Sequence, residues 1–271
     1  MTNPADLGTA GEPTLSIVRD GPGLADAAAV IVADALVAAV RRRGRADLCS
    51  TGGSTPPAMY RQLAAAPLRD RVPWSQVHVW LGDDRFVPRD HPLSNMFGID
   101  EILLDEIHGV PLPVANVHPW PNGEAIAGDL GPDWCANAYA SEARAVVPLD
   151  PAGVPVFDLV LVGIGPDGHL MSVFPGSPAI GSDRLALGIA APTHVEPHVP
   201  RVTFNPSILA ATPAVLVMVG GESKAGLLAR ILDDPRIDPA SPAGLPAQLA
   251  RRSNATWLVD AAAAAGLRSR G

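Results

Sequence analysis

His169 closes the run Gly163-Ile164-Gly165-Pro166-Asp167-Gly168-His169, which follows the most strand-like stretch of the chain, Phe157 to Ile164. Core packing is a poor explanation for a histidine on a glycine-rich turn at a strand end. Its imidazole titrates near neutrality and suits general-base work, and Asp167 is placed to orient it or stabilise its charge. A second turn, Thr51-Gly52-Gly53-Ser54-Thr55-Pro56, reads either as a phosphate cradle or as an ordinary strand–helix turn. Paired glycines let backbone N–H groups turn toward a ligand. Ser54 or Thr55 can cap the next helix, and a helix N-terminus favours anions. A third turn, Gly82-Asp83-Asp84-Arg85, carries either an ion-pair network holding a loop or a functional arginine, whose planar fork binds phosphate oxygens in pairs.

Other constellations are weaker. His194 and His198 have the spacing of a helical metal pair, but Pro192, Pro197 and Pro200 oppose a helix, so a loop is expected there and no zinc site. Gly221-Glu222-Ser223-Lys224-Ala225 lacks the last glycine of a serine-hydrolase elbow. Gly163, Gly165 and Gly168 meet the bare dinucleotide-binding spacing, but a polar turn stands where the helix should begin.

These turns must be held by strands and helices. Short apolar runs predict strands at Thr14–Val18, Asp47–Ser50, Val77–Leu81, Phe157–Ile164, Leu185–Ala190, Arg201–Phe204, Ala214–Val219 and Thr256–Val259. Helical patterns fall at Gly23–Arg43, Pro57–Ala65, Ser94–Leu104, Gly131–Val147, Ser223–Leu232 and Leu245–Arg252. In the first of these, Val30, Ile31, Leu36, Val37 and Val40 share a face at helical period. Its last turn, Arg41-Arg42-Arg43, reads as a solvated end suited to the helix dipole, with Gly44 as the stop. Alternation of strands and helices argues an α/β fold with a mostly parallel sheet. The expected organisation is a loose tail over residues 1–13 and a single domain over 14–271. In open α/β sheets ligands sit beyond the carboxyl ends of the strands, where the three turns lie.

Composition bounds the rest. The 271 residues are 47% hydrophobic and 18% charged, enough for a sizeable core. Acid outnumbers base, 28 to 20, for a net charge of −8, which argues against a non-specific nucleic-acid binder. Lys224 is the single lysine, and so cannot be read as bulk surface charge. Two cysteines, Cys49 and Cys135, make neither a disulfide framework nor a zinc site. The first 20 residues lack the order of a signal peptide. Leu24–Val40 carries Asp26 and Asp34 and reads as too short and too charged to span a bilayer. A soluble, cytoplasmic protein without a membrane partner is expected.

The blocks TGGSTP, GDDRFVPRDHPLSN, FDLVLVGIGPDGHLMSVFPG, RVTF, GGESKAGLL and LPAQL…TWLVD run in order from about residue 50 to 260. In that order they resemble the 6-phosphogluconolactonase family, whose superfamily also holds glucosamine-6-phosphate deaminase and ribose-5-phosphate isomerase. The resemblance implies a Rossmann-like, mostly parallel sheet flanked by helices, with a small added lobe. It implies a catalytic histidine at His169, phosphate-binding residues at Arg85 and Lys224, a glycine-rich turn at Gly52, Gly53, Ser54 and Thr55, and a further contact at Arg201. It also implies hydrolysis of 6-phospho-D-glucono-1,5-lactone, a small sugar-phosphate lactone, in the oxidative pentose phosphate pathway, with no metal or organic cofactor. The chain departs from the family at Asp84, where glutamate is usual, and at Leu170-Met171, where small polar residues are common. Phe174-Pro175-Gly176 stands where the related deaminases carry Asn-Glu-Pro, which argues against deaminase chemistry. The alternatives are a sugar-phosphate isomerase or deaminase of the same fold, with Asp83 as the carboxylate, or a non-catalytic sugar-phosphate sensor.

Overall fold

The structure is a computed structural model and describes residues 11–234, 238, 241 and 244–268. The first ten residues of the expected tail lie outside the described residues. The strands are β1 (Thr14–Val18), β2 (Ala46–Ser50), β3 (Val77–Leu81), β4 (Asp83–Arg85), β5 (Val117–His118), β6 (Leu159–Val162), β7 (Ala186–Ile189), β8 (Arg201–Phe204), β9 (Val215–Val219) and β10 (Ala255–Asp260). The helices are α1 (Gly21–Arg43), α2 (Pro56–Ala64), α3 (Leu68–Arg71), α4 (Phe97–Ile102), α5 (Asn122–Ala127), α6 (Pro132–Val146), α7 (Ser207–Ala211), α8 (Ala225–Leu232) and α9 (Ala261–Ala264).

Seven strands form one parallel sheet in the order β1-β10-β9-β6-β2-β3-β5. From β2 the chain builds outward through β3 and β5. From β6 it builds the other way, through β9 and β10. The winding direction therefore reverses between β2 and β6, and the loops leaving these two strands diverge and open a crevice above the sheet. The central strands β2, β6 and β9 are buried at every residue, as their unbroken apolar runs require of a doubly covered sheet.

A second, antiparallel sheet, β4-β8-β7, forms the small lobe. Phe204 of β8 joins it to the main core: its ring lies 5.3 Å from Trp120, 5.2 Å from Tyr139 and 5.6 Å from Phe157. The Gly82 carbonyl accepts from the Phe204 N–H at 2.9 Å, which fixes the lobe against the end of β3.

Helix α1 corrects two expectations. Its buried stripe is Leu24, Ala28, Val32, Leu36 and Ala39, with Ala25, Ala29 and Ala33 beside it, while Val30 is exposed. Alanines bring the helix close to the sheet, and the larger valine is left to solvent. At 23 residues the helix is long and apolar enough to cross a membrane by length and composition alone, so shortness is no objection. In the fold the alanine stripe packs against the sheet instead.

Nor is the arginine run merely solvated. Arg42 and Arg43 both pair with Asp158, and Arg43 and Arg45 grip Asp47 at 2.6 and 2.5 Å. Trp80 Nε1 donates to the same Asp47 carboxylate at 3.1 Å. Burial pushes the Asp47 carboxyl up, but hydrogen bonds from Arg45, Arg43 and Trp80 outweigh it and hold the group below the ordinary carboxylate range. A carboxyl with a lowered folded pKa stabilises the protein above its unfolded value, near 4, and loses that contribution as pH falls through the folded value. We expect Asp47→Asn to cost about 2–3 kcal/mol in urea unfolding at pH 7, where the partly exposed arginines soften the loss of a buried partner. The difference from wild type should shrink below about pH 4, and a gap independent of pH would contradict this account.

Three element ends differ from the sequence reading. The helix expected at Ser94–Leu104 is only Phe97–Ile102, and the one expected at Leu245–Arg252 is a 3₁₀ segment, Pro246–Ala250. The helix expected from Ser223 begins as a 3₁₀ turn, Glu222–Lys224, before α8.

Candidate active site

A cavity of about 270 Å³ opens at the crevice. Its wall includes Gly52, Gly53, Ser54, Thr55, Arg85, Arg201, Lys224 and His169, so the turns singled out in the sequence converge on one space. Asp167 stands behind His169 rather than in the wall.

The histidine turn is tight. The Gly165 N–H donates to the His169 carbonyl at 2.9 Å, and Gly168 sits at φ +83°. A Cβ on Gly165 would fall 2.0 Å from His169 Cε1, so only glycine leaves room for the ring. His169 Nδ1 lies 2.5 Å from Asp167 Oδ1, whose carboxylate also takes the His169 backbone N–H at 3.2 Å. Burial works against the Asp167 charge, but the bonds and the proximity of His169, with a further bond from His194, hold the carboxyl well below its usual range. As an ionised acceptor it fixes the proton of His169 on Nδ1, which leaves the Nε2 lone pair open to accept a proton.

Two arginines face each other across β4 and β8, where Arg85 and Arg201 are register partners. Arg85 donates to the Leu93 carbonyl at 2.7 Å and Arg201 to the Pro197 carbonyl at 2.9 Å. Among the described residues neither pairs with a carboxylate, and the Nε of each is buried without a hydrogen-bond partner. Arg201 is 4% exposed, and its pKa is lowered by burial and by the Arg85 charge. The charges of Asp83 and Asp84 oppose that shift, but two neighbouring cations with no direct carboxylate pairing are suited to a dianion. The third cation, Lys224, immediately precedes α8 and donates Nζ to the Ile164 carbonyl at 3.0 Å, which ties the β9 turn to the β6 turn. Burial lowers its pKa, and Asp167 opposes that shift.

The glycine turn departs from expectation in one respect: α2 starts at Pro56 and neither Ser54 nor Thr55 caps it, because Thr55 is itself in helical conformation. Asn95, which the sequence reading does not single out, explains Gly52. Its Nδ2 donates to the Asp83 carbonyl at 2.9 Å, and a Cβ on Gly52 would lie 1.9 Å from its Oδ1. We therefore expect Gly52→Ala to displace Asn95, costing about 1–3 kcal/mol in urea unfolding and raising KM. An unchanged melt would show that the turn has slack.

The two acids of the third turn differ in place. Asp84 is buried away from the cavity, accepting from the Arg85 and Asn95 N–H groups at 2.8 and 2.7 Å and from Ser94 Oγ at 3.1 Å. Burial, reinforced by Asp83, pushes its carboxyl up to about 7 despite these bonds. Asp83 lines the cavity and accepts from Ser172 Oγ at 2.6 Å. The ion-pair network expected as one reading of this turn is absent among the described residues. His194 and His198 do not converge as a metal pair: His194 reaches Asp167 Oδ2 at 2.8 Å, and His198 bonds the Pro192 carbonyl at 2.7 Å.

Comparison with known proteins places the whole chain. A family model described as glucosamine-6-phosphate isomerases/6-phosphogluconolactonase matches residues 19–258. A 6-phosphogluconolactonase of Streptomyces coelicolor is 36% identical over 265 residues, covering 94% of this chain and 95% of that protein. One from Mycobacterium tuberculosis is 35% identical over 260 residues, covering 94% and 99%. A solved 6-phosphogluconolactonase structure from Trypanosoma brucei superposes with a TM-score of 0.80 at 26% identity, over 96% of this chain and all of the other.

Proposed function

Because the chain belongs to the glucosamine-6-phosphate isomerases/6-phosphogluconolactonase family, we infer that it is a lactone-hydrolysing enzyme of the pentose phosphate pathway, opening 6-phospho-D-glucono-1,5-lactone to 6-phosphogluconate. The observation that carries the mechanism is the pairing of an oriented histidine base with three cations around one cavity.

A lactone is an activated ester, so its hydrolysis needs a base, a positioned water and a held substrate. Nε2 of His169 takes a proton from water as the water oxygen bonds to C1. The tetrahedral oxyanion then collapses and breaks the bond from C1 to the ring oxygen. The imidazolium returns its proton to that leaving oxygen, which becomes the C5 hydroxyl, and the new carboxyl ionises to solvent. Asp167 stabilises the transient imidazolium without taking its proton. Arg85, Arg201 and Lys224 hold the 6-phosphate, and the backbone of Gly52 to Thr55 lies beside them. Fixing the far end of the sugar in this way sets C1 against the base. Residues 14–271 act as one soluble, cytoplasmic domain in this reading, which the sizeable core and the two free cysteines, suited to a reducing compartment, support.

The test is ring opening measured above the spontaneous rate, with glucose-6-phosphate dehydrogenase supplying the lactone and 6-phosphogluconate dehydrogenase reading the product. Strong acceleration is expected for the 6-phosphorylated lactone and little for glucono-1,5-lactone. Equal rates on both would remove the phosphate role from the three cations. Ammonia released from glucosamine 6-phosphate would favour the deaminase alternative.

A further inference from the structure

The hydrolytic cycle uses one histidine, yet two reach the same carboxylate. Asp167 presents Oδ1 to His169 Nδ1 at 2.5 Å and Oδ2 to His194 Nε2 at 2.8 Å. Phe174 packs against both imidazoles, 4.7 Å from the ring of His169 and 5.8 Å, edge-on, from that of His194. Each oxygen of the carboxylate is thus claimed by a ring, and an aromatic wall backs the trio.

We propose that His194 is a positioning residue for the lactonase reaction, holding the far oxygen of Asp167 so that the near oxygen keeps His169 in its working tautomer and tunes its basicity. Without the second ring, Asp167 keeps only the bonds of its near oxygen to the His169 ring and backbone N–H, and the pair is held less firmly in its working orientation. The contact also moderates charge. A donor on Oδ2 draws negative charge away from Oδ1, so His169 feels less than a full carboxylate. Removing that donor leaves all of the charge to favour the imidazolium, and the base then stays protonated to higher pH.

The same contact anchors part of the cavity wall. Val195 and Glu196, the next two residues, line the cavity. Farther along the loop, Arg201 donates to the Pro197 carbonyl. The loop is thereby pinned at one end to the carboxylate behind the base and at the other to a phosphate-binding arginine. Unlike His169, whose side chain is 18% exposed, the His194 side chain is 51% exposed, so it meets solvent protons directly. The other charged groups around the trio are Lys224, which feels the Asp167 charge, Glu196 on the same loop, and Asp83, Arg85 and Arg201 in the cavity wall.

This inference rests on the hydrolytic reading, and its test has one arm that needs no turnover. His194→Ala and His194→Gln are compared with wild type in two measurements: lactone hydrolysis as a function of pH, and NMR titration of the His169 ring, assigned with His169→Ala. The amide of Gln supplies an N–H donor in place of Nε2. We expect His194→Ala to lower kcat roughly 10-fold, the low end of what loss of an orienting partner costs a functional histidine in metal sites. The acid limb of the rate profile and the His169 titration midpoint should both move to higher pH, and His194→Gln should recover most of kcat. An unmoved midpoint in His194→Ala, or a Gln variant as impaired as the Ala variant, would overturn the proposal. If wild type failed to open the lactone, the reaction reading would fall while the ring titration still decided whether His194 acts through Asp167.

Discussion

His169→Ala is expected to lower kcat for 6-phosphogluconolactone by ~10²–10⁴-fold, the span of a positioned general base, while product affinity stays nearly unchanged. The reasoning separates two parts of the cavity. The imidazole is held from behind by Asp167, whereas Arg85, Arg201 and Lys224 are held by backbone carbonyls of other segments. Deleting the ring therefore removes the proton acceptor and leaves the three cations where they were. Because the lactone opens by itself in water, the loss has to be read after subtraction of that background. Calorimetric titration with 6-phosphogluconate supplies the second number. A parallel loss of product affinity would mean that His169 holds the sugar rather than activates water, whereas substantial residual turnover would place the base elsewhere, Asp83 and Glu196 being the acids in the wall.

The second large effect is expected at Arg201. A charge-assisted hydrogen bond is worth about 1.5–3 kcal/mol, so Arg201→Met should raise KM roughly 10- to 150-fold, with a smaller change in kcat. The effect on the empty protein should run the other way. Arg201 is buried, its Nε has no hydrogen-bond partner, and the Arg85 charge faces it. Replacing it with an apolar side chain removes a buried cation and its repulsion, so the melting temperature without ligand should not fall. Inorganic phosphate should raise the melting temperature of wild type, because it binds only the folded state, and should do so far less in Arg201→Met. A variant that melts lower and responds to phosphate as wild type does would show that Arg201 is a structural residue.

Both effects concern residues that stand out in the sequence itself, and the reason is geometric. Parallel strands here are short unbroken apolar runs, so β1, β3 and β8 begin and end where the sequence reading puts them. A ligand site at the carboxyl ends of such strands then falls on whatever non-core residues follow. His169, Arg85 and the Gly52–Thr55 turn are such residues, and Lys224 is conspicuous as the single lysine. Contacts that depend on how loops return carry no period. Asn95 reaches Gly52 and Asp83 from the loop after β4, and His194 crosses to Asp167 from a loop more than twenty residues along the chain. Spacing alone makes His194 half of a metal pair and cannot show that its partner is a carboxylate. The α1 stripe escapes a periodicity reading for a related reason: in an alanine-rich helix hydropathy barely distinguishes the faces, and closeness to the sheet decides which one is buried. The segment at 246–250 has helical composition, but the fixed φ and absent N–H of Pro246 tighten it, whereas 97–102 starts late because the Asn95 and Met96 N–H groups bond Asp84 and Ser94 Oγ instead.

The central claim is that His169 supplies the proton acceptor for water, and as imidazolium the proton for the leaving oxygen, without holding the substrate. Imidazole rescue of His169→Ala addresses it most directly, since removal of the ring leaves a space above the Cα of Gly165, where a Cβ would otherwise meet it. Lactone opening by this variant is followed at increasing imidazole, with the rate of the same solution lacking protein subtracted at each point. We expect a protein-dependent rate that rises with imidazole, saturates as the vacated space fills, and tracks the free-base form across pH. A variant that gains nothing beyond the protein-free imidazole rate would contradict the assignment of His169 as the base.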